Sequence, residues 1–169
     1  VRDRVAEAIA AVGMEAVADR PVHALSHGQK KRLCIAGVLA MKPEVLVLDE
    51  PMAGLDAAMQ AEFGVLLERL HAASMTLIVA THDIDFASQW ADAVHVLSEG
   101  RCVSRWQTPL SAEALDAISR LGLGTPRVAD VHRLLVEAGL LSAEEPFPRS
   151  HQALMKQLTR LRKASDSKR

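Results

Sequence analysis

The sequence has 169 residues, with 20 Lys and Arg against 21 Asp and Glu, 49% apolar residues and 3% aromatic residues. This composition is that of an ordinary globular domain and excludes a disordered, collagen-like or fibrous chain. The longest apolar run, residues 33–41, is shorter than the roughly 18 residues of a membrane-spanning helix, so any link to a membrane must be peripheral.

The first predicted element is a half-buried helix over residues 1–18, with Val1, Val5 and Val12 on its apolar face. The opening letters VRDRVAEAIAAVGM lack the features of a signal peptide, and we expect the chain to begin inside a fold. Residues 28–41 predict a second helix that is buried along its later turns.

Two short apolar runs, residues 45–48 (VLVL) and 75–81 (MTLIVAT), predict strands buried on both faces of a parallel sheet. Between them, residues 57–72 have helical spacing. A strand, a helix and a second strand make a right-handed βαβ unit, so the predicted fold class is α/β. Cys34 and Cys102 are interpreted as buried thiols without a chemical role.

Residues 84–91 predict a short helix, and the alternating letters that follow predict a β-hairpin that turns at Glu99-Gly100 and closes the sheet edge. Two further helices are predicted over residues 112–119 and 128–138. We therefore predict a core over residues 1–106, a small helical appendage over 107–148 and a tail over 149–169.

The tail carries an unbalanced charge. It holds seven basic residues and one acid, a net charge of +6, whereas the 13 basic and 20 acidic residues before it sum to −7. Its leucines at 154, 158 and 161 predict a basic amphipathic helix, which either lies on an anionic membrane surface or packs as a solvated terminal helix. The end KASDSKR is expected to be disordered.

Two adjacent carboxylates, Asp49 and Glu50, follow the first predicted strand. Open α/β sheets bind ligands at the carboxyl ends of their strands, and strand alternation sends these side chains to different sides. The pair suits phosphoryl transfer, with Asp49 binding Mg²⁺, usually through water, and Glu50 orienting or deprotonating the attacking water. The alternative is a pair of solvated charges that ends a strand.

A histidine, His82, follows the second predicted strand and would emerge at the same sheet edge as Glu50. As a neutral donor near pH 7, it would hydrogen-bond a terminal phosphate and the attacking water. A metal cluster of His82, Asp83 and Asp85 is the alternative. That order lacks zinc's usual pair of His or Cys ligands, and a helix-capping Asp83 explains the acids more simply.

Four residues, Ser26, His27, Gly28 and Gln29, stand at the start of the second predicted helix. Free backbone N–H groups, the helix dipole, a hydroxyl and a glycine together make an anion site suited to a phosphate. The alternative is that Ser26 only caps the helix. The basic run KKR at residues 30–32 is interpreted as solvated.

Four segments occur in one order, LSHGQ at 25–29, VLVLDEP at 45–51, AGLD at 53–56 and THD at 81–83. In this order they resemble the signature motif, Walker B strand, D-loop and switch His of the ATP-binding-cassette (ABC) ATPases. The resemblance covers residues 1 to about 106 and implies a P-loop NTPase-like core with ATP and Mg²⁺ as ligands. The run from KKRLCIAG to AGLD is most similar to the branch that serves energy-coupling-factor transporters of the cobalt and nickel type.

The resemblance also implies residue roles. Asp49 would support Mg²⁺ binding, Glu50 would polarise the hydrolytic water and His82 would sense the γ-phosphate. Two ATPase subunits of this family face head to tail, so the signature of one subunit closes over ATP held by the other. Asp56 would lie at that interface, and the signature residues at 26–29 would contact the opposing nucleotide, although His27 stands where a Gly is usual.

The implied partners are a second ATPase subunit and the transmembrane subunits of a transporter, and the implied location is peripheral, on the cytoplasmic face of the membrane. No nucleic acid is expected as a partner. In such transporters the metal passes through the membrane partners, so this chain need not bind it.

The sequence contains no GxxxxGK[ST] loop, the Walker A motif that cradles the β- and γ-phosphates. We therefore expect the C-terminal half of a cassette, inactive until a segment or chain carrying that loop joins it. One alternative is a truncated, non-catalytic binding module. Another is an ABC ATPase of DNA repair or chromosome organisation, but such relatives usually carry a long coiled coil, and no sustained heptad occurs here.

Overall fold

The computed structural model describes residues 1–142 and 144–166, with side chains up to residue 160. The chain forms two compact units, Val1–Thr81 and His82–Arg169. The helices are α1 (Arg2–Ala11), α2 (His27–Leu39), α3 (Ala57–Ala72), α4 (Ile84–Trp90), α5 (Ala112–Arg120), α6 (Arg127–Glu137) and α7 (His151–Asp166). The strands are β1 (Val45–Asp49), β2 (Thr76–Ala80), β3 (Ala93–Ser98) and β4 (Arg101–Gln107).

The first unit is built around the parallel pair β1–β2, which confirms the predicted α/β class. The pairing places Val47 beside Ile78 and Asp49 beside Ala80. Helix α3 connects the two strands with the bounds that the sequence predicts, and it buries the apolar side chains that recur along one of its faces. These are Phe63, Leu66, Leu67 and Leu70.

The two strands are buried on one face only, which corrects the prediction that both faces are buried. Leu46 is buried, but Val47 is 67% exposed and its neighbour Ile78 is 53% exposed. The parts of the chain that the structure describes cover the Leu46 face and leave the Val47 face bare. The apolar run in each strand predicts that other segments pack against both faces of the sheet. The described residues pack against one face only.

Helices α1 and α2 pack together in the first unit, and both are less buried than the sequence indicates. Val1 and Val5 are exposed, while Ala8 and Val12 are buried. The predicted burial of the two thiols is wrong, because Cys34 and Cys102 are both exposed. Helix α2 buries only the side that carries its central apolar residues, so a thiol on the opposite side meets solvent.

The second unit contains the predicted β-hairpin, with a turn at Glu99-Gly100. Strands β3 and β4 pair antiparallel in a two-stranded sheet separate from the β1–β2 pair, so the prediction that the hairpin closes the edge of the parallel sheet is wrong for the described residues. Val96 of the hairpin packs in one core with Leu115 and Ile118 of α5. The boundary predicted after residue 106 lies inside this packed unit, and the division of the chain into a core and an appendage stays a prediction.

The basic tail forms helix α7 and packs within the second unit. Leu154 is buried, and the Gln157 side-chain amide donates to the Pro146 carbonyl at 2.8 Å. The helix continues to Asp166, through residues expected to be disordered, where Lys and Ala have high helix propensity. The last part of the expected disorder, residues 167–169, lies outside the described residues. Within the part of the chain that the structure covers, no helix has the length and apolarity that crossing a bilayer requires.

A buried histidine, His132, lies in the core of the second unit. Its side chain is 2% exposed, and its ring lies 4.8 Å from that of Phe147, measured between centroids. Neither ring nitrogen has a hydrogen-bond partner among the described residues. Burial disfavours the charged imidazolium and lowers the pKa of His132, an effect that the nearby Glu145 carboxylate partly offsets.

We expect acid to destabilise the protein through His132. The unfolded chain takes up this proton near the ordinary pKa of about 6.5, whereas the folded protein binds it only at lower pH. The contribution of neutral His132 to the free energy of unfolding is therefore fully present above about pH 6.5. It declines as pH falls, by at most about 1.4 kcal/mol per pH unit. Urea unfolding at pH 7.5, 6.5 and 5.5 should show a smaller acid loss in His132→Phe than in the wild type. The same loss in both proteins would contradict this.

Candidate functional site

The four predicted signature residues form the N-terminus of α2. Ser26 is the N-cap; its hydroxyl accepts from the Gln29 backbone N–H at 3.2 Å, and its own N–H donates to Gln29 Oε1 at 2.9 Å. This is a complete capping box, as the capping alternative predicts. The capping box provides hydrogen-bond partners for the backbone N–H groups of Ser26 and Gln29. The backbone N–H groups of His27 and Gly28 therefore point outward from this end of the helix.

The signature segment lies directly against the predicted D-loop. A Cβ at residue 28 would meet the Met59 sulfur at 3.2 Å, and a Cβ at residue 54 would meet His27 Cε1 at 3.4 Å. Gly54 also has a φ of +72°, a backbone conformation that favours glycine. Two glycines thus permit the close approach of segments that lie about 26 residues apart in the sequence, and the structure brings these predicted motifs together.

Lys31 joins this arrangement and corrects the interpretation of the KKR run as solvated. Its Nζ donates to the Pro51 carbonyl at 2.9 Å and to the Ala53 carbonyl at 2.5 Å, so it ties α2 to the turn after β1. Arg32 forms an ion pair with Glu62 of α3. The sequence contains a sign that Lys31 and Arg32 lie on the packed side of α2. Each stands four positions before an apolar residue of this helix that is buried, namely Ile35 and Ala36.

Glu50 lies at the carboxyl end of β1, where the sequence predicts a catalytic base. Its N–H donates to the Ala80 carbonyl at 2.9 Å, and the Thr81 hydroxyl donates to Glu50 Oε2 at 3.1 Å. Its φ of 42° is uncommon for a residue other than glycine. Backbone strain of this kind is concentrated at functional sites, where the surrounding structure maintains it.

Asp49 ends β1 with an exposed side chain, on the same bare face as Val47. The described residues contain no cluster of three or more side chains that would enclose a metal ion. Mg²⁺ commonly uses one or two carboxylates and takes its other ligands from phosphate and water. An exposed Asp49 carboxylate with Glu50 next to it fits that donor set.

Asp56 and Asp83 both cap helices. Asp56 Oδ1 accepts from the Met59 N–H at 2.8 Å, and Asp83 Oδ1 accepts from the Phe86 N–H at 3.0 Å. The capping role of Asp83 is confirmed. Because His82 belongs to the second unit, its expected proximity to Glu50 stays a prediction.

Comparisons with known proteins match residues 1–53 to a family described as ABC transporter. The energy-coupling factor transporter ATP-binding protein EcfA of Methanocaldococcus jannaschii is 44% identical over 135 residues, covering 80% of this chain and 48% of that protein. The cobalt import ATP-binding protein CbiO of Rhodobacter capsulatus is 40% identical over 157 residues, covering 93% of this chain and 56% of that protein.

Among solved structures, cbiO1 from Clostridium perfringens, part of the ABC transporter complex cbiONQ, is similar at a TM-score of 0.62 and 40% identity. The similarity covers 80% of this chain and 53% of that chain. The chain spans about half the length of the curated relatives that it matches.

Proposed function

Because this chain belongs to the ABC transporter ATPase family, we propose that it is the C-terminal part of an ATP-hydrolysing subunit that energises the import of a transition-metal ion such as cobalt or nickel. The observation that carries the proposal is the contact between the signature helix and the D-loop, together with Glu50 at the end of β1. The names of the matched relatives, which are transporter subunits, favour transport over DNA repair.

Hydrolysis would use the carboxyl end of β1. Mg²⁺ bound with ATP would neutralise phosphate charge and polarise the transferred phosphoryl group. Asp49 would hold it, directly or through water, because its carboxylate is exposed. Glu50 would orient the attacking water and accept its proton, and the Thr81 hydroxyl would fix the orientation of this carboxylate. His82 would donate a hydrogen bond to the γ-phosphate.

The signature end of α2 would bind ATP held by a second subunit, in a head-to-tail dimer. The capping box engages the Ser26 hydroxyl and the Gln29 side chain within the chain, so the outward amides of His27 and Gly28 are the first candidates for phosphate contact. The same two residues lie against the D-loop and α3, with the His27 ring beside Gly54 and Gly28 beside Met59. Asp56, which caps α3 beside them, would lie at the dimer interface.

A separate segment or chain would supply the Walker A loop. The bare face of β1 and β2 supports this, because Val47 and Ile78 are paired and exposed there and Asp49 ends the same face. An added layer on this face would exclude water from the valine and isoleucine side chains and bring a phosphate loop towards Asp49. The assembled subunit would bind transmembrane partners and work peripherally, on the cytoplasmic face of the membrane.

Reconstitution tests the proposal. The 169-residue chain alone should hydrolyse no ATP, because it has no phosphate loop. Joined to the N-terminal segment of a CbiO or EcfA relative that carries GxxxxGK[ST], it should release phosphate from ATP. The matched control is the same assembly with the loop Lys replaced by Ala, which should be inactive. Turnover by the isolated chain would contradict the half-cassette proposal, and an inactive but folded assembly would contradict the proposed ATPase.

A further inference from the structure

Asp85, three positions after His82, contacts the first residue of α6, a helix that is distant in the sequence. Asp85, in the first turn of α4, accepts two hydrogen bonds from Arg127, the first residue of α6. The Arg127 backbone N–H donates to Asp85 Oδ1 at 2.7 Å, and the guanidinium Nε donates to Oδ2 at 2.7 Å. The hydrogen bond to Asp85 and the charge attraction of its carboxylate raise the pKa of Arg127 above its ordinary value.

The contact between Asp85 and Arg127 caps the N-terminus of α6. Pro126, the N-cap of α6, makes no side-chain hydrogen bond to the helix start. The Asp85 carboxylate accepts the first amide of α6 instead and places a negative charge at the positive end of the helix dipole. Asp85 and Arg127 are 42 positions apart, so the contact links α4 to the helices that follow residue 107.

Helix α4 is held at two further points. Ile84 packs against the core that includes Leu115 and Ile118 of α5. Ser88, which is buried, lines a small cavity together with Pro126 and Ala129. The seven residues of α4 therefore pack against α5 and the start of α6, and only the cap and Ile84 separate His82 from Asp85.

We propose that Arg127 is a positioning residue for ATP hydrolysis, because its clamp on Asp85 fixes the start of α4 and thereby the backbone that carries His82. The helices after residue 107 then set the geometry of the switch His. This inference rests on the proposed γ-phosphate contact of His82. It assigns a role to a segment that lies outside the predicted ATPase motifs.

The two ends of the clamp should respond unequally to substitution. Arg127→Ala removes the guanidinium bond but keeps the backbone amide that Asp85 accepts. Asp85→Ala removes both bonds and leaves the first turn of α6 without its acceptor. We therefore expect the larger effect from Asp85→Ala, the smaller from Arg127→Ala, and partial retention in Arg127→Lys.

The chain offers a matched control in the ion pair of Arg133 and Asp116, whose side-chain atoms Nη2 and Oδ1 are 3.1 Å apart. This pair also joins α6 to another helix of the second unit, and it does not involve α4. Arg133→Ala therefore removes a comparable exposed ion pair without touching the clamp.

The first experiment uses the complete 169-residue chain without ATP. Hydrogen–deuterium exchange of the amides in residues 84–90 should rise about threefold or more in Arg127→Ala, and further in Asp85→Ala. The His82 imidazole signals in an NMR spectrum should shift or broaden in the same variants. Arg133→Ala should change neither quantity. Unchanged α4 exchange and His82 signals in both clamp variants would overturn the proposal, whether or not the assembly hydrolyses ATP.

The second experiment uses the reconstituted assembly with its Walker A segment. Arg127→Ala should lower kcat about threefold to tenfold with little change in KM for ATP, Arg127→Lys should recover part of the loss, and Arg133→Ala should retain the wild-type value. Equal losses in Arg127→Ala and Arg133→Ala, or an unchanged kcat, would overturn the positioning role. An inactive wild-type assembly would instead contradict the proposed ATPase, and the exchange and NMR measurements would then decide the clamp separately.

Discussion

Replacing Glu50 with Gln is expected to lower ATP turnover in the reconstituted assembly by about 100-fold or more while ATP remains bound. The amide keeps the length of the side chain and an oxygen that can accept from the Thr81 hydroxyl, as Glu50 Oε2 does at 3.1 Å. It lacks the negative charge that polarises water and the basicity that accepts a proton. Binding and hydrolysis should therefore separate in this variant.

Phosphate release and retention of labelled ATP after rapid gel filtration measure the two effects. Glu44→Gln is the matched control, because Glu44 is an exposed acid that directly precedes β1 and is remote from its carboxyl end. It should hydrolyse ATP at the wild-type rate. Unaltered hydrolysis by Glu50→Gln would remove Glu50 from the role of base, and loss of ATP binding would assign it to ligand binding instead.

Lys31→Met is expected to lower the free energy of unfolding by about 2 kcal/mol, because hydrogen bonds to charged groups contribute about 1.5–3 kcal/mol. Met retains an apolar stem of similar length but cannot donate to the Pro51 and Ala53 carbonyls. The turn that joins Glu50 to the D-loop would lose its tie to α2. In the reconstituted assembly, we also expect a lower kcat, since this turn sets the position of Glu50.

Lys30→Met provides the comparison, because Lys30 is the exposed neighbour of Lys31 in the same helix. Urea denaturation of the three proteins, followed by circular dichroism, measures the difference in the unfolding free energy. Equal stability of Lys31→Met and Lys30→Met would show that the two carbonyl contacts of Lys31 do not stabilise the folded protein.

Local signals in the sequence were sufficient for most of the secondary structure. Helix α3 begins after Asp56 because that side chain caps it, and its apolar spacing continues to Leu70 in the last turn. The hairpin turns at Glu99-Gly100 because glycine tolerates the left-handed backbone there. No local signal predicts the contact between the signature segment and the D-loop, since composition and periodicity do not report contacts between distant segments.

The remaining features depend on residues far apart in the chain. The Lys31 contacts span 20 and 22 positions, and the Asp85–Arg127 contact spans 42. Helical spacing can indicate that a charged side chain lies on the packed side of its helix, but it does not indicate which distant carbonyl or carboxylate that side chain will contact. The sequence overestimates the burial of the strands for a related reason. An apolar run predicts that a strand is buried, but it does not indicate which segment packs against it.

We expect the bare strand pair to influence how the chain behaves in concentrated solution. In the part that the structure describes, β1 and β2 pair only with each other, so the outer edge of each strand presents unpaired N–H and C=O groups beside exposed Val47 and Ile78. Such edges are templates for strand addition by other molecules. A formal net charge of −1 supplies little repulsion between molecules near neutral pH. We therefore expect a complementary segment that covers this face to raise the solubility of the chain, in addition to the activity proposed for the assembly.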